Sequence, residues 1–231
     1  QLARIYQSGF NVNTDALEEV RKEFEQEKQE LLTQLQSQVH ELMGDRPINL
    51  NSPEQLSWII YSRKPHDKPM WANSFEPRFT DSEFKSVIKS KSSVLYKQKA
   101  RQCTVCKGTG KVRKTKKNGK PFVNTSKCLE CKAAGYLFTD TKDVAGLKFM
   151  APNPDWVSAH GFSTSKDNLI KLETSARERN FQDAVVFLQR VRRLSALDTY
   201  LSSFVEGIST HIKSDGMLHV QLLQHRTGTG R

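Results

Sequence analysis

Four cysteines are the residues of this chain whose type and spacing could do chemistry. They form two pairs, Cys103-x-x-Cys106 and Cys128-x-x-Cys131, and the chain has no other cysteine. A two-residue gap lets both thiolates of a pair reach one ion, and four sulfurs complete the tetrahedral shell of Zn²⁺ without an open position. We therefore predict a structural Zn²⁺ site with all four cysteines as ligands. Disulfides are the main alternative, which an intracellular setting disfavours, and a redox-active pair is a weaker one.

Glycines follow each cysteine pair, at Gly108, Gly110 and Gly135. Glycine tolerates the positive φ angles that are common where a backbone turns back toward thiolate sulfurs. The pattern Cys-x-x-Cys-x-Gly-x-Gly from Cys103 to Gly110 resembles the zinc repeats of J-domain chaperones. The second pair departs from it, with Ala133 in place of the first glycine, and a chaperone would leave the long helices of this chain unexplained.

Basic residues crowd around the cysteines. The formal charge is +11, and residues 97–132 hold twelve lysines or arginines against one acid, Glu130. Such a cluster fits contact with a polyanion, although a solvated charged loop is the alternative. If about five of these charges met phosphates, affinity would fall with salt at a log-log slope near −4 to −5. The predicted phosphate contacts between the cysteine pairs are Lys111, Arg113, Lys114, Lys116, Lys117 and Lys120.

The elements that position this segment are mainly helical. Apolar residues at spacings of three, four and seven predict one long amphipathic helix from Asn13, its N-cap, to Gly44. Ser52 as N-cap, Pro53 at the first position and Gln55 completing a capping box predict a short helix to about Tyr61.

Prolines predict irregular chain from residue 63 to about 77, and residues 81–96 form at best a short helix. After the cysteines, Ser163 or Thr164 caps another helix, and Phe181 to Phe204 forms a second long amphipathic one. Residues 208–213 and 217–222 flank Ser214-Asp215-Gly216 as a hairpin. We expect a mainly α, α+β fold in which the two long helices lie antiparallel.

Three segments resemble DNA polymerases of family A, the DNA polymerase I type. Residues 2–13 are similar to the stretch that enters the polymerase domain. Asn49-Leu50-Asn51-Ser52-Pro53-Glu54-Gln55-Leu56 is similar to the thumb signature and is the most specific match. Residues 224–231 resemble the start of the Thr-x-Thr-Gly-Arg motif, so we expect the chain to be a fragment that ends inside that motif.

The resemblance implies the organisation of the chain. Residues 1–65 would be the palm entrance and first long thumb helix, and residues 159–207 the second thumb helical segment. Residues 66–158 would be an insertion carrying the zinc module at about 97–138, and residues 208–231 the start of the palm hairpin.

The resemblance also implies an activity, template-directed DNA synthesis by the full-length nucleotidyltransferase. The thumb would grip primer-template duplex, while the carboxylates that hold Mg²⁺ would lie in a palm beyond Arg231, so no catalytic residue is assigned here. Arg190, Arg192 and Arg193 are expected to substitute for lysines that the family carries just before the Thr-Tyr pair corresponding to Thr199-Tyr200, and Arg190 and Arg193 are the predicted DNA contacts among them. The implied contacts of the last motif with DNA are Gln224, Arg226, Thr229 and Arg231.

Two further expectations concern partners and location. The zinc insertion could instead dock a replication protein, so a non-catalytic DNA-binding or partner-docking module remains the alternative function. No apolar run approaches the roughly 20 residues that span a bilayer, so we expect a soluble protein of the bacterial cytoplasm, or of the host cytoplasm if the gene is phage-encoded.

Overall fold

A computed structural model describes residues 9–73, 79–113, 123–159 and 161–219. The helices are α1 (Thr14–Met43), α2 (Pro53–Tyr61), α3 (Lys68–Asn73), α4 (Asp81–Lys91), α5 (Lys166–Glu178), α6 (Gln182–Thr199) and α7 (Glu206–His211). A 3-10 turn covers Pro154–Trp156, and a π-helical turn, Tyr200–Val205, joins α6 to α7. Helix is the main component, and the expected mixed α+β class is confirmed.

The strands are short and pair two by two in antiparallel fashion. They are β1 (Phe10–Asn11), β2 (Arg63–Pro65), β3 (Ser92–Val94), β4 (Tyr96–Gln102), β5 (Lys111–Val112), β6 (Ser126–Lys127), β7 (Tyr136–Val144), β8 (Val157–Ser158), β9 (Gly161–Phe162) and β10 (Met217–Leu218). The pairs are β1 with β10, β2 with β3, β4 with β7, β5 with β6, and β8 with β9. No helix in the described ranges has the length and apolar character needed to cross a membrane.

The chain divides into two compact units, the first made of Gln1–Leu35 with Gln189–Arg231 and the second of Gln36–Leu188. In the first unit, Lys28 of α1 forms an ion pair with Asp198 of α6 at 2.6 Å. Seven residues earlier in α1, Arg21 reaches Glu206 of α7 at 3.3 Å. Going back along α1 from Lys28 to Arg21, the contacted residue advances from Asp198 to Glu206, so the two helical segments run in opposite directions. The predicted antiparallel pairing of the long helices is therefore confirmed within this unit.

Both ends of α1 follow the predicted capping. The Asn13 side chain accepts a hydrogen bond from the Ala16 N–H at 3.0 Å, and Gly44 adopts a left-handed φ of 81° after the last turn. Leu35, Val39 and Met43 are buried on one face of the helix. Of the apolar stripe predicted from the sequence, Leu35 and Val39 are buried and Val20 is exposed, so the stripe is packed only in part. Its other members are half-buried, namely Leu17, Phe24, Leu31 and Leu42.

The second long helix extends further than predicted, and the hairpin prediction for residues 208–222 is wrong in its first arm. Helical chain continues through the π-helical turn and α7 to His211, because Leu201, Val205 and Ile208 keep a helical spacing. Among the described residues, an isolated bridge from Ile212 to Leu218 and a hydrogen bond from the Lys213 N–H to the Met217 carbonyl remain of the expected pairing, and residues 220–222 lie outside the described residues. Strand β10 pairs instead with β1 near the start of the chain.

The core of the second unit forms around α2. Ile59 and Ile60 are completely buried, and the Tyr61 ring packs on Phe162 with centroids 4.8 Å apart. Trp71, also completely buried, meets Phe162 edge-on at 5.5 Å. This aromatic cluster ties α2 and α3 to β9.

Local predictions in this unit need three corrections. Residues 63–77 are not irregular throughout, because β2 and α3 form there. Ser52 caps α2 by accepting from the Gln55 N–H, but the Gln55 side chain accepts from the Asn49 N–H, so the capping box does not close. The N-cap of α5 is Ser165, not Ser163 or Thr164, since its side chain accepts from the Asn168 N–H.

Candidate metal centre and its basic ribbon

The four cysteines lie in a compact piece of the second unit, residues 96–113 and 123–144, which we term the four-cysteine module. Strand β4 leads into the first cysteine pair and β5 leaves it, while β6 leads into the second pair and β7 leaves it. Because β4 pairs with β7 and β5 with β6, the strand entering each pair lies beside the strand leaving the other. The two halves of the module therefore have matching connections.

Backbone hydrogen bonds repeat this match residue by residue. The Cys103 N–H donates to the Gly135 carbonyl at 2.9 Å, and the Cys128 N–H, 25 residues later, donates to the Gly110 carbonyl at 2.9 Å. A tight turn follows each pair. The Thr109 N–H donates to the Cys106 carbonyl in the first turn, and the Ala134 N–H donates to the Cys131 carbonyl in the second. The halves are thus related by an approximate twofold repeat.

Left-handed backbone supports the turns after both pairs. Gly108 has a φ of 83°, and its counterpart Ala133 has a φ of 70°, although alanine pays a steric cost in this region. Gly110 and Gly135 also match, with φ of 69° and 80°. The glycines expected to allow the turns are confirmed, and Ala133 shows that the missing glycine did not change the conformation.

The repeat brings the four sulfurs together. The Sγ atoms of Cys103 and Cys128 are 3.9 Å apart, and those of Cys106 and Cys131 are 3.6 Å apart. All four sulfurs lie within 4.8 Å of one another, and all four side chains are buried as free thiols. The predicted ligand set is confirmed as a cluster that could hold a metal ion, and disulfides are excluded in this structure.

The sulfurs do not lose their protons independently. Burial opposes ionisation of Cys106, but N–H groups of Gly110 and Gly108 and the neighbouring thiols outweigh it and lower its pKa to about 7. Burial and the hydrogen bonds with the neighbouring thiols, against the opposing effect of the Gly135 N–H, together raise the pKa of Cys131 to about 11. The cluster stabilises one thiolate readily and resists the next, and a bound cation would remove that resistance.

Apart from the half-buried Lys97, the described cations of the module are exposed, and none has a described acidic partner. Within residues 96–113 and 123–144, no lysine or arginine forms an ion pair with a described carboxylate. Lys99 is near enough to Asp45 to lower the pKa of that carboxyl, after larger contributions from Ala100 and His40. Lys111 stands directly opposite Lys127 across β5 and β6. Like charges in such a pair repel each other.

The other predicted contact residues fall into four groups. Lys111 and Arg113 are exposed in the module, as the sequence indicated. Arg193 is already engaged, because two of its nitrogens donate to the two Glu27 carboxylate oxygens at 2.6 Å each. Arg190 is half-buried on α6. The remaining predicted contacts, Lys114, Lys116, Lys117, Lys120, Gln224, Arg226, Thr229 and Arg231, lie outside the described residues.

Sequence reasoning missed the residues that join the module to the rest of its unit. Gly44 and Asp45, at the end of α1, lie along the outer edge of β4 and bond to Gln98 and Ala100. An aspartate after a helix-ending glycine carries no pattern that points to a strand more than fifty residues away. The contact could not have been found from spacing alone.

In the comparisons with known proteins, the chain matches no protein-family model, no curated protein and no solved structure. The function of the module therefore has to be argued from its geometry and charge.

Proposed function

We propose that the four-cysteine module is a structural zinc site that presents cations to the phosphate backbone of duplex DNA. We further propose that the chain is the duplex-gripping thumb segment of a DNA-directed DNA polymerase resembling family A. The confirmed antiparallel helices support the second statement, as does the thumb-like segment from Asn49 to Leu56, which leads into α2. Catalytic carboxylates and their Mg²⁺ would belong to a palm that follows this segment.

Sulfur spacing supports zinc as the metal. With a Zn–S distance of about 2.3 Å, the sulfurs of a regular tetrahedron lie about 3.8 Å apart. The sulfurs of Cys103 and Cys128 are 3.9 Å apart and those of Cys106 and Cys131 are 3.6 Å apart, which brackets that value, and no two of the four sulfurs are more than 4.8 Å apart. Four thiolates fill the shell, so the ion would stabilise the fold of the module and leave no position for a reacting water.

The observation that carries the DNA proposal is the contrast between two sets of cations. In the first unit, Arg21, Lys28 and Arg193 all form ion pairs with acids of a neighbouring helix. In the described part of the four-cysteine module the cations form no ion pair with a described carboxylate, and Lys111 faces Lys127. Holding like charges side by side costs free energy that a polyanion recovers on binding, because its phosphates neutralise the charges and release counterions.

Phosphate contact of this kind positions DNA and reads no sequence. The metal would hold β5 and β6 together beside the two cysteine turns, so that Lys111 and Lys127 stay side by side. The described part of the module offers no cluster of asparagine or glutamine beside the lysines for reading base edges. We expect duplexes of different sequence to bind alike.

Salt-dependent binding of the whole chain to a labelled duplex tests this proposal. Lys111→Gln with Lys127→Gln should reduce the magnitude of the log-log salt slope by about 1.8, since each phosphate contact contributes about 0.9. The matched control is Lys85→Gln with Lys89→Gln on α4, which removes the same charge from exposed lysines outside the module. The control should keep the slope of the unaltered chain.

Equal slopes for the two double variants would contradict phosphate contact through the module. Zinc content must stay stoichiometric in both, so that a lost slope cannot come from a lost fold. The polymerase assignment has its own test in the coding sequence beyond Arg231, where two aspartate-bearing palm motifs are expected. Their absence would leave a DNA-binding protein without polymerase activity.

A replication protein is the second candidate partner of the module. Val105, Val123 and Leu129 are 60%, 88% and 84% exposed, and exposed apolar side chains around a metal site favour protein contact. Removing residues 97–132 separates the two functions. Loss of salt-sensitive duplex binding supports phosphate contact, whereas unchanged duplex binding together with loss of a replication partner supports docking.

A further inference from the structure

The outer edge of β4 is covered by the residues that follow α1. The Asp45 N–H donates to the Gln98 carbonyl at 2.8 Å, and the Asp45 Oδ2 accepts from the Ala100 N–H at 2.8 Å. Gly44 forms a parallel bridge with Gln98. Strand β4 therefore has β7 on one side and a two-residue segment of the α1 terminus on the other. We call Gly44 and Asp45 the edge clamp.

Gly44 is suited to this position for two reasons. Its φ of 81° lies in the left-handed region, which ends α1 and which other residues adopt at a steric cost. A Cβ at this position would also lie 2.8 Å from the Gln98 nitrogen and 3.1 Å from its carbonyl carbon. Any side chain would push the helix terminus off the strand.

Side chains extend the clamp across the strand. His40, in the last turn of α1, contacts Asp45 Oδ1 through Nε2 at 2.9 Å, which orients the carboxylate. Gln98 donates from Nε2 to Asp140 Oδ1 of β7 at 2.6 Å. One continuous set of hydrogen bonds thus runs from α1 through β4 to β7.

Among the described residues, the module is also attached at its base. Leu95 N–H donates to the Ser62 carbonyl, Ala145 N–H donates to the Leu95 carbonyl, and Gly146 N–H donates to the Leu42 carbonyl. A two-stranded ribbon held only at its base could pivot there. The edge clamp holds the same ribbon a second time, at Gln98 and Ala100, and two points of attachment remove the pivot.

We infer that Gly44 and Asp45 are positioning residues that fix the direction in which the four-cysteine module projects from the end of α1. For DNA binding this inference rests on the proposed function, because a fixed ribbon presents its cations without first losing conformational freedom. The clamp itself does not depend on what the module binds.

Amide hydrogen exchange isolates the clamp. Successive residues of a strand point their N–H groups to opposite sides, so Ala100 points to Asp45 while Lys99 and Arg101 point to β7. Asp45→Ala should speed exchange at Ala100 by at least about tenfold and leave Lys99 and Arg101 near their original rates. Asp45→Asn keeps one oxygen for Ala100 and should restore most of the protection.

Duplex binding is measured on the same proteins, with Glu130→Ala as the control. It removes an equal negative charge from an exposed site beside the cysteines. Removing an acid should strengthen phosphate binding in both variants, and Asp45→Ala should fall about threefold to tenfold below the control because its ribbon must be ordered on binding. Zinc content and far-ultraviolet circular dichroism should match those of the unaltered chain.

Unchanged exchange at Ala100 in Asp45→Ala would overturn the clamp. Faster exchange with duplex affinity equal to that of Glu130→Ala would overturn its positioning role in DNA binding. Failure of the proposed function has a different signature, since the unaltered chain would then show no salt-dependent binding while exchange at Ala100 still reports the clamp.

Discussion

Replacing Gly135 by alanine should weaken metal binding more than replacing Gly108, although both residues are left-handed glycines of the four-cysteine module. A Cβ on Gly135 would lie 3.0 Å from the Gly108 carbonyl carbon and closer still to its oxygen. Both atoms belong to the backbone of the opposite turn, which cannot move without disturbing Cys106. A Cβ on Gly108 would meet only the end of the Gln102 side chain, at 2.8 Å from Nε2.

The magnitudes follow from these contacts. Each substitution places an L side chain in the left-handed region at a cost of about 1–2 kcal/mol, partly offset by the lower entropy of unfolded alanine. Gly108→Ala should cost only this amount, about 1 kcal/mol of stability, because Ala133 already occupies the matching position of the other half. Gly135→Ala must also displace a carbonyl and strain the Cys103 N–H to Gly135 bond, for a total of about 2–4 kcal/mol.

Competition with a chromophoric zinc chelator at constant pH measures the difference. In the proposed zinc site, folding of the module would be coupled to metal binding, so a cost of about 2–4 kcal/mol would appear as roughly 30-fold to 1000-fold weaker affinity for Gly135→Ala. Gly108→Ala should lose about fivefold. Equal affinities for the two variants would contradict this reasoning, because they would show that the close approach of the two turns does not affect the affinity for metal.

Two further predictions concern the core around α2. Ile59→Ala should destabilise the chain by about 2–5 kcal/mol in denaturant titrations, because a completely buried side chain is lost, while Val20→Ala on an exposed surface should stay within about 0.5 kcal/mol. Burial raises the pKa of Tyr61, whose hydroxyl donates to the Ser163 carbonyl at 2.9 Å. The unfolded chain therefore releases this proton first, so the stabilisation is complete below about pH 10 and is lost as the pH rises above it. Tyr61→Phe should remove that alkaline loss and cost about 1 kcal/mol at neutral pH, and an unchanged alkaline midpoint would contradict the assignment.

The clustering of the four cysteines could be predicted from the sequence because it depends on residues next to each cysteine pair. A two-residue gap sets both thiols of a pair on one turn, and the glycines after Cys106 and Cys131 permit the left-handed backbone that follows. The same holds for α1, whose start at Asn13 and end at Gly44 depend on residues within one turn of each end. Local rules were sufficient wherever the structure is stabilised locally.

Prediction failed where distant residues decide the conformation. The hairpin expected over residues 208–222 competes with continuation of a helix, and the helix prevails to His211 because an ion pair between Arg21 and Glu206 and burial of Val205 stabilise it. The capping box of α2 failed for a local reason instead, because the Gln55 side chain accepts from the Asn49 N–H, six residues away, and not from the Ser52 N–H. The contact of Asp45 with β4 was not predicted, because its partners in β4 lie more than fifty residues further along the chain.

Comparing the two halves of the approximate repeat shows which residues a metal site would need and which it would not. Position by position, Lys111 and Lys127 of one strand pair correspond to Tyr136 and Gln102 of the other, and both pairs stand beside the same cysteine turns. A neutral pair therefore supports the turns on one side as well as a doubly charged pair does on the other. Metal binding does not explain the two facing lysines, because a cluster of thiolates would attract cations equally to either strand pair. Their placement on the side that leads into the basic segment fits an anionic partner that approaches there, and this asymmetry within a symmetric backbone is the reason to look for the function of the module in its charge.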